Sequence, residues 1–331
     1  MRTKTITALL VSTFVLQSCF LPTDVLAISF SKIQLPKNAI GPEALAFELG
    51  TGQFFTGISD GRILKYQGPT IGFVDFGFVA PNRSKSMCDG MHFANTNQTC
   101  GRPVGMALHH QTKMLYVCDA FFGFGVLGPE GGLVTILSTM ADGEPYHFCD
   151  GVDVHQPTGN VYFTDASAIY DIREFKTAAS VNDSTGRLLK YDVEKKQVTV
   201  LFRNLSFPGG VAVDEEEEFV LVSEFLGNRI RKIQLRGRKP FESDIINTQP
   251  FPDNIRKAGL DEFWIAEARK DGGTQSNLVP VGARIDASGN VIETVHLEEC
   301  YGNKLVSEVG EFDRKLYIAS LFVDFIGVYE H

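Results

Sequence analysis

The sequence predicts an all-β fold, a six-bladed β-propeller, and three observations carry that prediction. Six segments repeat a two-strand pattern, several of them add a third strand after a glycine turn, and no stretch alternates strands with long amphipathic helices. Short strands at regular spacing, recurring with a period of roughly 40–60 residues, fit blades of four strands each.

The six copies pair residues 44–48 with 53–57, 105–109 with 114–118, 151–155 with 160–164, 210–214 with 219–223, 254–258 with 262–266 and 306–310 with 315–319. Third strands follow at 61–66, 186–191 and 227–232. Residues 173–180 read as a helical turn, an excursion between blades. Because the first strand of each blade runs along the propeller axis, residues at the starts of those strands converge on a channel or pocket.

The chain has 331 residues, and its 44% hydrophobic and 21% charged content is near the globular average. Its N-terminus carries Arg2 and Lys4, an apolar run over 6–16, and Val25-Leu26-Ala27 suited to signal cleavage. Residues 1–27 therefore read as a cleaved signal peptide and 28–331 as one domain. A buried first helix would require neither the positive start nor the small-residue exit. No later run approaches the roughly 20 apolar residues of a membrane span.

Of six cysteines, Cys19 falls in the signal, leaving Cys88, Cys100, Cys118, Cys149 and Cys300. Cys88 and Cys100 bracket a polar loop and are expected to pair, which would restrict the unfolded chain. The other three stay unassigned, and Cys118 and Cys149 stand in apolar strand contexts where free thiols pack as small hydrophobes. Four N-x-S/T sequons, at Asn82, Asn97, Asn182 and Asn204, lie behind the signal and imply glycosylation. The net charge of −9, with no Lys/Arg cluster, argues against nucleic acid or an anionic membrane as partner. A monomer acting on a small molecule is expected.

Several tempting motifs fail on context. Gly57-Ile-Ser-Asp-Gly61 matches a nucleophile elbow, but a strand follows where the elbow needs a helix. Gly123-Phe-Gly-Val-Leu-Gly128 matches the dinucleotide fingerprint, yet Pro129 stands where its helix should begin. The acidic run 214–218 reads as a solvated turn. The seven histidines show no zinc spacing, and His109 and His110, adjacent on a strand, point to opposite faces.

The polar residues at first-strand starts are Glu43, Asp150, Asp253 and Asn254. Facing one another across the axis, they could offer oxygen ligands to a hard cation such as calcium. Gly210, the equivalent in the fourth copy, offers no side chain.

The chain resembles the strictosidine synthase-like family, six-bladed propellers of the plant secretory pathway and vacuole. The resemblance rests on 61–66, 72–76, the Cys88 to Cys100 loop with Gly101-Arg102, 161–165, 185–192, Phe207-Pro-Gly-Gly210 and Val222-Ser-Glu-Phe225. It implies Pictet–Spengler condensation of an amine with an aldehyde in alkaloid biosynthesis, tryptamine and secologanin being the substrates of the name-giving enzymes. That chemistry needs a general base, in the family a glutamate on the first strand of the last blade. Aligned without gaps, this chain has Ser307 there, with Glu308 one position later and so turned to the other face of the strand. Leu305 and Gln275 stand where the family has pocket histidines. Phe148 and Phe225 match pocket aromatics, while Val104 and Asp150 replace tyrosines. The implied axial pocket is lined by Val104, Phe148, Phe207, Phe225, Leu305 and Ser307.

The strand-start acids are also similar to those of calcium-dependent paraoxonase and lactonase propellers. With Ser307 at the position of the family glutamate, true strictosidine synthesis is not expected. The alternatives are a calcium-dependent ester or lactone hydrolase and a non-catalytic binding propeller, in the vacuole first and the extracellular space second.

Overall fold

In the computed structural model, which describes residues 29–270 and 277–330, six sheets stand around one axis. The expected signal peptide, Cys19 and Gln275 lie outside the described residues. Blade 1 runs outward from the axis as Leu45–Glu48, Gln53–Gly57, Arg62–Tyr66 and Phe73–Phe78, with Gly132–Leu133 added in parallel at its edge. Blades 2 to 5 begin on the axis at Pro103–His109, Cys149–Val154, Pro208–Val213 and Ile255–Gly259. Blade 6 combines both ends of the chain: Ser29–Gln34 pairs with Phe325–Glu330 outside Lys315–Ala319 and Glu308–Phe312. All six sequence copies therefore supply the two inner strands of a blade.

Strand alternation explains how the blades adhere. In Met114–Asp119, Leu115 and Val117 pack towards blade 1 while Tyr116 and Cys118 pack towards blade 3, so one strand serves two cores. The same division puts an apolar cluster between neighbouring blades all round the ring, including Leu45 and Phe54 against Ala319 and Ile326 where blade 6 meets blade 1.

The arginines at the starts of third strands also have a cause. Arg62, Arg187 and Arg229 each bind an acid near the end of the preceding strand, Asp60, Asp165 and Glu224, at 2.6–2.7 Å. Blade 2 has Gly123 and Phe124 at that position, and its acid, Asp119, instead accepts the backbone N–H groups of Arg102, Phe121 and Phe122.

Two expectations need correction. The helical excursion is Ile172–Glu174 continued by Phe175–Ser180, and it lies inside blade 3, between Val161–Asp165 and Gly186–Asp192. An insertion there is carried over the axial end of the sheet. Cys118 and Cys149 are not free thiols; they are bonded to each other across blades 2 and 3, with Cα atoms 5.2 Å apart. Their apolar surroundings are the inter-blade core, which suits a buried disulfide as well as a buried thiol. Cys88 pairs with Cys100 as expected, and Cys300 is free. The acidic turn is only partly solvated, because buried Glu217 binds Lys190, Asn160, Tyr162 and Arg236 and buried Asp214 caps the next strand.

These pairings make a countable prediction. Alkylation of the mature protein, denatured without reductant, should label one thiol, Cys300. Three labelled thiols would return Cys118 and Cys149 to the unpaired state.

Candidate functional site

The inner strands of blades 2, 3 and 4 each carry a bulge at their first residues, between Pro103 and Gly105, Cys149 and Val152, and Pro208 and Val211. A bulge re-aims the side chain at the irregular position. Here it turns Val104 and Asp150 into a cavity of about 670 Å³ at one end of the axis, where Gly209 also faces inward. Glu43, Asp253, Leu305 and Val306 enter the same cavity from blades 1, 5 and 6. Carboxyl groups thus come from blades 1, 3 and 5, and apolar or glycine positions from the blades between.

The absence of a ligand at Gly210 has a steric reason. A Cβ there would lie 2.5 Å from the Ile255 nitrogen, just as one on Gly105 would lie 1.9 Å from the Asp150 backbone oxygen. Neighbouring inner strands approach too closely for a side chain.

The upper walls are aromatic. Phe148, Phe175, Phe207 and Phe225 form a chain of edge-to-face contacts at 5.3–5.7 Å, and the short helix Phe175–Ser180 brings Phe175 and Lys176 over the opening. The sequence missed this helix as part of the site, since its amphipathic signal is only two turns long. It also missed Phe93 and Phe322, which pack edge-on at 5.0 Å on the opposite wall. The aromatic residues expected at the pocket, Phe148, Phe207 and Phe225, all line it, as do Val104 and Leu305.

The last blade behaves differently. Ser307 is fully buried and is not part of the cavity wall; its Oγ donates to the Glu43 carbonyl oxygen at 2.8 Å. That corrects its placement in the pocket lining. Glu308 faces the opposite end of the axis, where a smaller cavity of about 240 Å³ opens. Its Oε1 accepts from the Leu45 N–H at 2.9 Å and its Oε2 from Arg256 Nη2 at 2.8 Å. Arg256 rises from the inner strand of blade 5 and crosses the axis, donating to the Met106 carbonyl oxygen at 3.2 Å and the Val152 carbonyl oxygen at 3.3 Å. It thereby ties blade 5 to blades 2, 3 and 6 across the axis. Burial works against its charge, but Glu308, with Asp153 and Glu43 behind it, offsets that and holds its pKa above the ordinary value.

On the floor of the larger cavity, Asn254 Nδ2 donates to Glu43 Oε1 at 3.2 Å, while Glu43 Oε2 is buried with no donor. Burial and then the neighbouring Asp253 push the Glu43 carboxyl well above its ordinary range. Burial and Glu43 do the same to Asp150, and burial, Asp150 and Glu308 to Asp253. Like charges this close in a poorly solvated space cannot all ionise, so the floor holds protons that exposed carboxyls would have released. Such groups can act as acids or bases near neutral pH.

The calcium set is not assembled as a cage. Among the described residues no three His, Cys, Asp or Glu side chains converge to hold a metal. Arg102, fully buried, shares the cavity with the same acids, and a divalent ion would face its charge. Glu43, Asp150 and Asp253 line one space while Asn254 stands behind Glu43, and in this arrangement the four do not fit a common ion.

Known proteins agree with this fold and refine it. The family profile described as Strictosidine synthase matches residues 150–238. STRICTOSIDINE SYNTHASE-LIKE 11 of Arabidopsis thaliana is 39% identical, over 91% of this chain and 91% of its own length. Strictosidine synthase of Catharanthus roseus is 34% identical, over 90% of this chain and 85% of its own. The chain belongs to the strictosidine synthase family. Among solved structures, a catalytically inactive variant of virginiamycin B lyase from Staphylococcus aureus is similar in fold alone, with a TM-score of 0.56 at 13% identity over 92% of this chain and 99% of that one. A chain of a nidogen–laminin complex is likewise similar, with a TM-score of 0.55 at 14% identity over 82% and 94%. The two disulfides fit the oxidising compartments through which secreted proteins pass. Among the described residues no helix is long and apolar enough to cross a membrane.

The buried acids predict how stability varies with pH. Glu267, in blade 5, is pushed up to about 8 by burial, only partly offset by the Gln249 N–H. A carboxyl raised on folding contributes stability that is complete at low pH and is lost as pH rises through its folded pKa. The melting temperature should therefore fall by several degrees between pH 5 and pH 9, and Glu267→Gln should flatten the upper part of that slope. A melting temperature that rises over this range contradicts the assignment.

Proposed function

We propose that this family member binds an amine in the axial cavity and catalyses its condensation with a carbonyl compound, Asp150 serving as the proton acceptor. On this reading strictosidine is not its product. The observation that carries it is the exchange of carboxyls on the axis: the last-blade carboxylate is tied to Arg256 outside the cavity, while Asp150 stands inside it. Asp150 makes no hydrogen bond to the described residues, so its oxygens are available to a ligand.

In such a step the ammonium gives a proton to the Asp150 carboxylate, and the freed nitrogen attacks the carbonyl carbon as the carbonyl electron pair moves to oxygen. A proton passes from the new ammonium nitrogen to the alkoxide to give the carbinolamine, whose hydroxyl then takes a proton from the Asp150 carboxyl and leaves as water, the nitrogen lone pair forming the iminium and Asp150 returning to the carboxylate. One carboxyl can serve both transfers because its raised pKa keeps both protonation states accessible. The phenylalanine walls exclude water from the iminium, and about 670 Å³ is within the usual range of small-molecule sites. A signal peptide, glycosylation at the exposed sequons Asn82, Asn182 and Asn204, and delivery to the vacuole belong to the same reading. Calcium-dependent ester hydrolysis is the weaker reading, favoured by the lone Glu43 Oε2 but opposed by the charge of Arg102.

Purified protein given tryptamine and secologanin should form no strictosidine above a protein-free control. With a panel of amines and aldehydes it should give condensation products by mass spectrometry, and Asp150→Asn should reduce their rate by about 100-fold or more. Strictosidine turnover, or an Asp150→Asn variant as fast as the parent, would contradict the proposal.

A further inference from the structure

Arg102 lies on the floor of the larger cavity, 0% exposed, and its Nε, Nη1 and Nη2 atoms all lack an acceptor. Arg187 shows what this chain does with a structural arginine at equal depth: its Nε and Nη2 donate to Asp165 and its Nη1 to Glu144. Arg102 makes no ion pair among the described residues. The acids nearest in charge are committed or held apart. Glu43, which acts on it most strongly, is bound by Asn254 and forms no ion pair with it; Asp119 takes backbone N–H groups, Asp60 is bound by Arg62 and the Gly90 N–H, and Asp150 does not reach it.

The floor therefore holds two unfilled halves. One is a planar guanidinium with five donors, suited to a carboxylate taken through two parallel hydrogen bonds. The other is the carboxyl group, with Asp150 and Asp253 open to the cavity and Glu43 Oε2 without a donor. Buried polar groups left unpaired are costly, and a ligand or ordered water is the ordinary remedy. A simple amine would answer the acids and leave Arg102 bare. A simple organic acid would do the reverse. A molecule carrying an ammonium and a carboxylate on one carbon answers both.

We propose that the cavity is built for an α-amino acid with an apolar side chain. Arg102 receives its carboxylate, Asp150 and Asp253 receive its ammonium, and Phe148, Phe175 and Phe207 pack its side chain. This rests on the reading that an amine occupies the cavity, and it names that amine's class.

Isothermal titration of the intact protein with four probes of matched size tests it: L-phenylalanine, 2-phenylethylamine, 3-phenylpropionate and L-phenylalaninamide. L-Phenylalanine should bind at least about tenfold more tightly than each of the others. Arg102→Met should remove its advantage over 2-phenylethylamine. Equal or tighter binding of 2-phenylethylamine or L-phenylalaninamide overturns the inference and leaves the amine reading standing. Equal binding of 3-phenylpropionate overturns both. Binding by none of the four overturns the inference and makes water the partner of Arg102, while the Asp150→Asn assay reports separately on condensation. Should Arg102→Met fail to fold, the four affinities of the unaltered protein decide.

Discussion

The contact on which the axis depends is the Arg256 guanidinium, which reaches from blade 5 to carbonyl oxygens of blades 2 and 3 and to Glu308 of blade 6. A propeller has no central element of its own, so whatever crosses the axis fixes how its blades sit. Moving both charges out of water is unfavourable, and the pair is tolerated because Glu308 also accepts a backbone N–H and Arg256 also donates to carbonyls. Losing either partner would strand the other in a space that solvates it poorly.

Much of the site's chemistry follows from that bridge. Glu308 is held on the far side of the axis, so the last blade presents Leu305 and Val306 to the larger cavity. The carboxyls that do enter it come from blades 1, 3 and 5. They crowd a floor where burial and mutual repulsion keep their pKa values high. Carboxyl groups stand on different blades from the one the family resemblance points to, on the same fold, as expected when function resides in side chains grafted on a shared scaffold.

The architecture was legible in the repeat pattern because strand alternation is local: two cores per strand leave an imprint within a few residues. The residues lining the cavity were partly legible for the same reason, since Glu43, Asp150 and Asp253 stand at equivalent points of three copies. What the sequence could not disclose were partnerships between distant blades. Cys118 and Cys149 read as buried thiols because nothing in either strand names the other. Ser307 aligned with a pocket position, yet its hydroxyl is consumed by the Glu43 carbonyl, 264 residues away. Arg102 stood in the family motif without a role, and only its lack of acceptors, a property of the folded cavity, distinguishes it.

Arg256 and Glu308 act as one buried unit that bridges the blades across the axis. A double-mutant cycle with Arg256→Met, Glu308→Gln and the double variant, measured by denaturant unfolding, tests it most directly. Each single change should destabilise the protein by about 3–5 kcal/mol, and the double variant should cost less than their sum by about 1–3 kcal/mol. Two effects that simply add would contradict it.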